Sequence, residues 1–414
     1  MARILGLLFL FVSFSANAQT TLSLKDCENL FQKNNLQLLS EQYNIAGSKA
    51  AVIQARIWEQ PYVSGELNFY NPNRKQLFDI GNKGQKAIAI QQLIYMGGKK
   101  KAEIEFAQSN VTLAELQYEE LLRNLSFLLK TSFYEVYFGQ LKIKQLEKQI
   151  AQLDELIKEY AVQADKGNVA LKEVVRLESL ALMFRNDINE IQKTVFAFQE
   201  NLKILTNSSE NITAAGDETR LNQQLLIPSI FTLTQLQQKS IEKNPNYLKA
   251  VKQKEQNDIN LKWQKAIAKP DLTLGGAYDQ SGGAFNNQFS LTVGMSLPFK
   301  NKNRGNIKMA ETMVSQASVD IDQAKTSLTA QLSTAYNSLQ YQQNQLSRSL
   351  KSTASFDTVY AGVIQNFQKR NISLIEFTDF IESYNQSTLY INEIKKQIII
   401  SKETINYITN ENIF

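Results

Sequence analysis

The sequence predicts an α+β membrane protein with an internal structural repeat, in which long α-helical coiled-coil segments accompany a transmembrane β-barrel shared by three chains, four strands from each. Three observations carry this expectation. The chain of 414 residues matches itself at a nearly constant offset. Each half contains one pair of short segments with apolar side chains at every second position. Each pair precedes a proline-free stretch that could form a helix far too long for a globular core.

The repeat comes first because it organises everything else. At an offset of 209, Leu24 falls on Leu233, Asn35 on Asn244, Leu39 on Leu248 and Pro61 on Pro270. Further along the offset becomes 203, so that Asn168, Leu171 and Glu173 fall on Asn371, Leu374 and Glu376. At the same offset Leu205-Thr206-Asn207 meets Ile408-Thr409-Asn410. Two constant offsets separated by one change of six residues fit a duplication with a single loop-length difference. The chain divides into a first repeat over 19–207, an inter-repeat linker over 208–230 and a second repeat over 231–414.

Before the first repeat, residues 1–18 read as a secretory signal peptide. Arg3 supplies the positive start, Ile4 to Phe14 the apolar stretch, and Ala16-Asn17-Ala18 a small-residue cleavage site before Gln19. Each repeat then opens with a helical pattern, roughly 24–58 and 233–267, which Pro61 and Pro270 end. Beyond each proline the apolar period falls to two. Phe289, Leu291, Val293, Met295 and Leu297 alternate with Ser290, Thr292, Gly294 and Ser296. Leu272, Leu274 and Tyr278 alternate with Thr273, Gly275 and Ala277, and Val63, Leu67 and Phe69 with Ser64, Glu66 and Asn68. A fourth strand, around Lys86–Tyr95, alternates poorly. Strands of about nine residues suit a membrane span. Their hairpin loops fall near 71–85 and 279–288. A soluble half-buried sheet would alternate in the same way. Four strands cannot close a barrel, for which about eight is the practical minimum, and lipid does not tolerate an open strand edge. Spanning strands must therefore be pooled, and three chains would give about twelve.

The long segments cover about 99–166 and 304–369. At ~1.5 Å per residue either could reach roughly 100 Å. Leu146, Ile150, Leu153, Ile157 and Tyr160, and likewise Leu332, Ala335, Leu339, Gln342 and Leu346, keep the alternating three- and four-residue spacing of a coiled-coil seam. Gly167-Asn168 and Arg370-Asn371 break the pattern, and returning helices follow at about 171–205 and 374–408.

Composition narrows the function. The chain has no histidine, which removes Ser-His-Asp and Cys-His catalysis and histidine metal ligation. No catalytic residue, cofactor or metal site is expected. Without the leader, 44 basic residues stand against 40 acidic ones, which is no footprint for nucleic acid. Cys27 is the single cysteine and reads as a small buried thiol. No apolar run beyond the leader is long enough for a transmembrane helix.

The whole mature chain resembles the TolC family of outer-membrane efflux proteins. Leu22-Ser-Leu-Lys-Asp-Cys27 and Phe231-Thr-Leu-Thr-Gln-Leu236 look like the family's repeat openings, together with Asn34-Asn35 and Asn244-Pro245. Tyr95-Met-Gly-Gly-Lys-Lys-Lys101 and Pro298-Phe-Lys-Asn-Lys-Asn-Arg-Gly305 look like its strand-to-helix junctions. Gly167-Asn-Val169 and Asn371-Ile-Ser-Leu-Ile-Glu376 resemble its helix-hairpin tips. The resemblance implies a homotrimer in outer-membrane lipid, with a twelve-stranded barrel above a helical tunnel that crosses the periplasm. It also implies a periplasmic adaptor (membrane fusion) protein and an inner-membrane transporter as partners. The chain would then be the passive duct of a tripartite efflux or type I export system.

By the same resemblance Glu376 and Asp379 match the acidic pair at the family's periplasmic entrance, and Glu173 is the first-repeat counterpart of Glu376. Ordinary solvated helix charge is the other reading of these carboxylates. Gly167, Asn168, Arg370 and Asn371 become candidates for adaptor contact. Gly and Asn at these positions also serve simply to turn the chain. Arg370 stands where a tip glycine is expected, and Asp379 aligns with Arg176. Phe414 ends the sequence as many outer-membrane barrels end, but after a helix. The alternative to a duct is a periplasmic coiled-coil adaptor or structural protein without a pore.

Overall fold

The computed structural model describes residues 20–281, 284–299, 302–352 and 355–414. The expected leader and its cleavage point lie outside the described residues. In chain order the first half holds β1 (Thr20–Ser23), α1 (Leu24–Asn34), α2 (Leu36–Arg56), β2 (Tyr62–Leu67), β3 (Tyr70–Asn71), β4 (Gln76–Leu77), β5 (Gln85–Ile94), α3 (Lys99–Asp165) and α4 (Leu171–Thr206). The joining segment holds β6 (Ile212–Ala215) and α5 (Glu218–Leu225). The second half holds α6 (Leu233–Lys243), α7 (Pro245–Ile267), β7 (Leu272–Ser281), β8 (Phe285–Met295), α8 (Arg304–Ser352), α9 (Phe356–Gln368) and α10 (Leu374–Thr409).

Several elements differ from expectation for local reasons. The opening helix of each half is two helices. Asn35 interrupts the first: its backbone is extended, its Oδ1 accepts from Leu38 N at 3.0 Å, and its Nδ2 donates to Leu205 O at 2.9 Å. Asn244 does the same before Pro245, capping Asn246 N and Tyr247 N, and a residue ahead of proline disfavours helical backbone. The expected single helix over 304–369 is two helices, α8 and α9. The expected linker is folded. In it β6 pairs in parallel with β1, from Thr20↔Ile212 to Ser23↔Ala215, and Lys402 Nζ donates to Gln224 O in the last turn of α5 and to Ile227 O just beyond it. Among the described residues, most of the 279–288 loop is strand. The 71–85 loop instead contains the small β3–β4 ladder, closed by the buried Asp79 carboxylate against Arg74 at 3.2 Å.

The chain forms two compact units. One comprises Ser40–Leu121 and Ser240–Thr329 and holds an antiparallel sheet in the order β2-β5-β7-β8. The β5–β7 ladder joins the two hairpins over ten residue pairs, from Gln85↔Ser281 to Ile94↔Leu272. Register fixes the faces. Val63, Ile90, Gly276 and Leu291 lie in one row, beside Ile88, Tyr278 and Phe289 in the next. On the opposite face Ser64, Ala89, Ala277 and Ser290 form a row, as do Tyr62, Gln91, Gly275 and Thr292. At Gly275 an added Cβ would lie 2.8 Å from Ile90 O, so this central row has no room for a larger residue. The strands span 6, 10, 10 and 11 residues, β2 being the short one. Beyond the strand ends, Asp271 ties the two halves together: Oδ1 accepts from Met96 N at 3.1 Å and Oδ2 from Lys99 Nζ at 2.6 Å.

The other unit gathers the described residues up to Leu39, Leu122–Lys239 and Ala330–Phe414. Its core near the helix tips includes Leu146, Leu153, Leu177, Phe184, Phe367, Phe377 and Ile381. Further along, α3 and α10 run antiparallel and meet through a charge ladder: Lys142–Glu393 at 2.7 Å, Glu135–Lys396 at 2.8 Å and Lys130–Glu403 at 2.9 Å. Asn124 accepts from the Tyr407 hydroxyl at 2.8 Å, and the Arg123 guanidinium covers the same ring at 4.3 Å. Burial opposes ionisation of Glu393, but hydrogen bonds from Gln397 and Lys142 and the charges of Lys142 and Lys396 outweigh it, holding the carboxyl at about 2.

A folded pKa below the ordinary 4.5 means that the stabilisation is complete above that value and is lost as pH falls through about 2. In the Glu393→Gln variant, denaturant unfolding should therefore be less pH-dependent across this window than in the parent. Near neutral pH it should lose about 1 kcal/mol, below the buried-pair range because the Glu393 side chain is 38 % exposed. Equal acid sensitivity in the two proteins would count against the ladder.

Candidate functional site

The residues singled out in the sequence gather at the two helix reversals, between α3 and α4 and between α9 and α10. Both turns have the same backbone. Gly167 N donates to Ala164 O at 2.9 Å and Asn168 N to Gln163 O at 2.9 Å. Arg370 N donates to Phe367 O at 2.9 Å and Asn371 N to Asn366 O at 2.9 Å. Each asparagine then fastens its turn with its side chain, Asn168 Nδ2 to Gln163 Oε1 at 2.9 Å and Asn371 Nδ2 to Asn366 Oδ1 at 3.1 Å. The reversal needs left-handed backbone at the second residue past the helix end. Gly167 supplies it at φ 76°, and Arg370 adopts it at φ 59°. The departure from glycine thus leaves the turn intact. It places a guanidinium at the exposed tip, at the steric cost that a Cβ incurs in this region.

The acidic residues have distinct surroundings. Glu376 is the third residue of α10 and closes a capping box: its Oε2 accepts from Ser373 N and Ser373 Oγ, both at 2.8 Å, while Ser373 Oγ accepts from Glu376 N. The Ser373 hydrogen bonds hold this exposed carboxyl below the usual range. Glu173 occupies the same place in α4, where Ala170 is the cap residue and makes no side-chain cap bond. Asp379 lies 3.5 Å from Arg176 Nη2, and Arg176 Nε donates to Thr378 Oγ1 at 3.1 Å. Positions equivalent in the repeat therefore meet in space and pair α4 with α10. Sequence reasoning aligned Arg176 with Asp379 but did not foresee the contact, because equivalence along a chain does not by itself imply proximity.

Beneath the tips, Phe367 stacks on Phe377 at 4.0 Å and on Tyr160 at 5.4 Å. Burial, and then the nearby Glu173 charge, push the Tyr160 hydroxyl upward. This aromatic column joins the ends of α3, α9 and α10, so both tips rest on one rigid base. Sequence reading found Tyr160 only as a seam residue and did not single out Phe367 or Phe377.

The comparisons with known proteins agree with this geometry. Residues 236–409 match the family model described as outer membrane efflux protein. No curated protein matches in sequence. Among solved structures, the fold is shared with the Campylobacter jejuni CmeC outer membrane channel at TM-score 0.75 and 14% identity, over 94% of this chain and 86% of that one. The Vibrio cholerae outer membrane protein VceC gives TM-score 0.73 and 13% identity, over 94% and 97%. CusC, solved in a study of transmembrane channel formation, gives 0.76 and 14%, over 96% and 95%.

The two tips make opposite predictions. Gly167→Ala should destabilise the chain by about 1 kcal/mol, since a side chain would enter left-handed backbone. Arg370→Gly should leave stability unchanged or raise it by up to about 1 kcal/mol at the matching position. Denaturant midpoints of the two variants test this, and a loss of stability in Arg370→Gly would contradict the strain argument.

Proposed function

We propose that this chain, whose second repeat carries the outer membrane efflux sequence and whose fold is that of the TolC family's channels, is one of three protomers forming a passive outer-membrane efflux duct. The sheet is the observation that carries the reading. It has an apolar face and a face on which small and polar residues predominate, and among the described residues β2 and β8 each have one ladder neighbour. Leu291 is 91 % exposed and Phe289 80 % exposed on the apolar face. Such a sheet suits lipid on one side and water on the other. Pairing β2 of one copy with β8 of the next satisfies both edges. Repeating the operation closes a ring, for which three chains supply about twelve strands. Ser64, Ala89, Ala277, Ser290 and Thr292 would then line the lumen.

In this reading the long helices carry the duct into the periplasm. Gly167, Asn168, Arg370 and Asn371 at the tips meet a periplasmic adaptor, and an inner-membrane transporter supplies the energy. Glu173, Glu376 and Asp379, in three copies, ring the entrance and favour cations. Arg176 offsets Asp379 within each chain, so Glu173 and Glu376 contribute the larger share of the field. Cargo is selected by the transporter.

Reconstituted protein should give discrete single-channel openings and a crosslinking ladder that stops at three chains. Absence of openings would favour a pore-free periplasmic rod, and a dimer as the largest species would defeat the shared barrel. In a salt gradient, Glu376→Gln with Asp379→Asn should move the reversal potential towards lower cation selectivity. Glutamine can keep the capping box, so the change isolates charge from fold. An unmoved potential would remove these residues from the entrance.

A further inference from the structure

Where β5 passes into α3, an open groove of about 550 Å³ is lined by Trp58, Tyr95, Gly98, Lys100, Lys101 and Ile104 together with Glu105 and Gln108. Trp58 is 53 % exposed, and its ring lies 6.3 Å from that of Tyr95 at 33°. Lys100 Nζ stands 5.8 Å from the Tyr95 ring centroid, and the Tyr95 hydroxyl is turned to Glu59 Oε1 at 2.9 Å. Gln92, in line with Ile88 and Ile90 on the apolar face of the sheet, donates to Glu59 O at 2.9 Å. The Trp58–Glu59 segment is thereby held to the apolar side, just past the strand ends.

The charges around the groove are unequally committed. Lys99 is fixed by Asp271 at 2.6 Å, and Lys100 is paired with Glu103 at 3.0 Å. Lys101 is 82 % exposed, and its pair with Glu105 is stretched to 3.9 Å. An amphipathic aromatic pair, a partly free ammonium and a continuous apolar surface meet here. That combination suits a molecule with a phosphate at one end and hydrocarbon at the other.

We propose that this groove binds the headgroup of an anionic phospholipid from the leaflet next to the strand ends. Lys101, with Lys100 behind it, faces the phosphate. Trp58 and Tyr95 support the glycerol ester region, and the acyl chains continue along Ile88 and Ile90. The site rests on the membrane-spanning reading of the sheet. It belongs to the first repeat alone, because the counterparts of Trp58 and Tyr95 are Ile267 and Pro298. Each chain therefore carries one such groove.

The sequence contains two tryptophans, which makes a direct test possible. Trp263, in α7, lies 5.4 Å from the Phe106 ring of α3, so Trp263→Phe leaves Trp58 as the single reporter. The full-length variant is reconstituted in phosphatidylcholine vesicles containing a minor fraction of lipid brominated near the ester end of its acyl chains. That lipid is either phosphatidylglycerol or phosphatidylcholine. Brominated phosphatidylglycerol should quench Trp58 emission about threefold more than brominated phosphatidylcholine, as expected for local anionic enrichment at one exposed lysine. Adding Lys101→Glu, a change at an exposed side chain, should abolish the difference. Equal quenching by the two lipids, or a preference that survives Lys101→Glu, would overturn the headgroup site while leaving the membrane span standing. Failure of both lipids to quench would overturn the span with it.

Discussion

Backbone hydrogen bonding at the two sheet edges constrains the rest of this structure. The β5–β7 ladder joins the hairpins of the two halves into one sheet, yet β2 and β8 each have one strand neighbour among the described residues, which leaves each an edge for further pairing. In water such edges are hydrated, whereas in hydrocarbon each unpaired group costs several kcal/mol. A sheet with one continuous apolar face is therefore tolerable in lipid only if copies of the chain complete one another. The duplication makes this arrangement economical, because each chain already brings two hairpins in register. Asp271 adds a local condition by bonding Met96 N and Lys99 Nζ, so the start of the second hairpin also fixes the exit of the first.

The helix reversals illustrate how one backbone solution can be reached with different residues. Gly167 takes left-handed backbone freely, whereas Arg370 holds it with a side chain attached. Compensation is visible nearby. The turn containing Arg370 is followed by the Ser373–Glu376 capping box, while the turn containing Gly167 is followed by Ala170, which makes no side-chain cap bond. The aromatic column of Tyr160, Phe367 and Phe377 stiffens the base beneath both. The strained tip is thus the better-capped one. The Arg176–Asp379 pair then makes the two repeats contact each other through equivalent positions.

Polar contacts also set the register of the helices in this unit. Apolar seams tolerate sliding by a turn, since one leucine layer resembles the next. The Lys142–Glu393, Glu135–Lys396 and Lys130–Glu403 pairs do not, because a shift would leave partly buried charges unmatched. Lys402 serves a related purpose by donating to the carbonyls of Gln224 and Ile227, and the Phe414 ring lies 4.9 Å from its ammonium. Taken out of water there, the Lys402 ammonium is pushed down to about 8.

By itself the sequence determined the features that depend on neighbours along the chain: the two-residue period of the strands, the three- and four-residue spacing of the seams, the reversals at Gly167 and Arg370, and the order of elements in both halves. These follow from periodicity and from the backbone preferences of Gly, Asn and Pro, which act locally. Even there it missed breaks at Asn35 and Asn244, where a side chain replaces helical hydrogen bonds, and it read as linker a segment that pairs β6 with β1. Only the tertiary structure decided contacts between residues far apart in sequence. It brought Asp379 to Arg176, set Glu393 between two lysines and placed Trp58 beside Tyr95. Such contacts depend on how helices rotate and strands register, and that is settled by packing and by the need to satisfy buried polar groups across the whole unit.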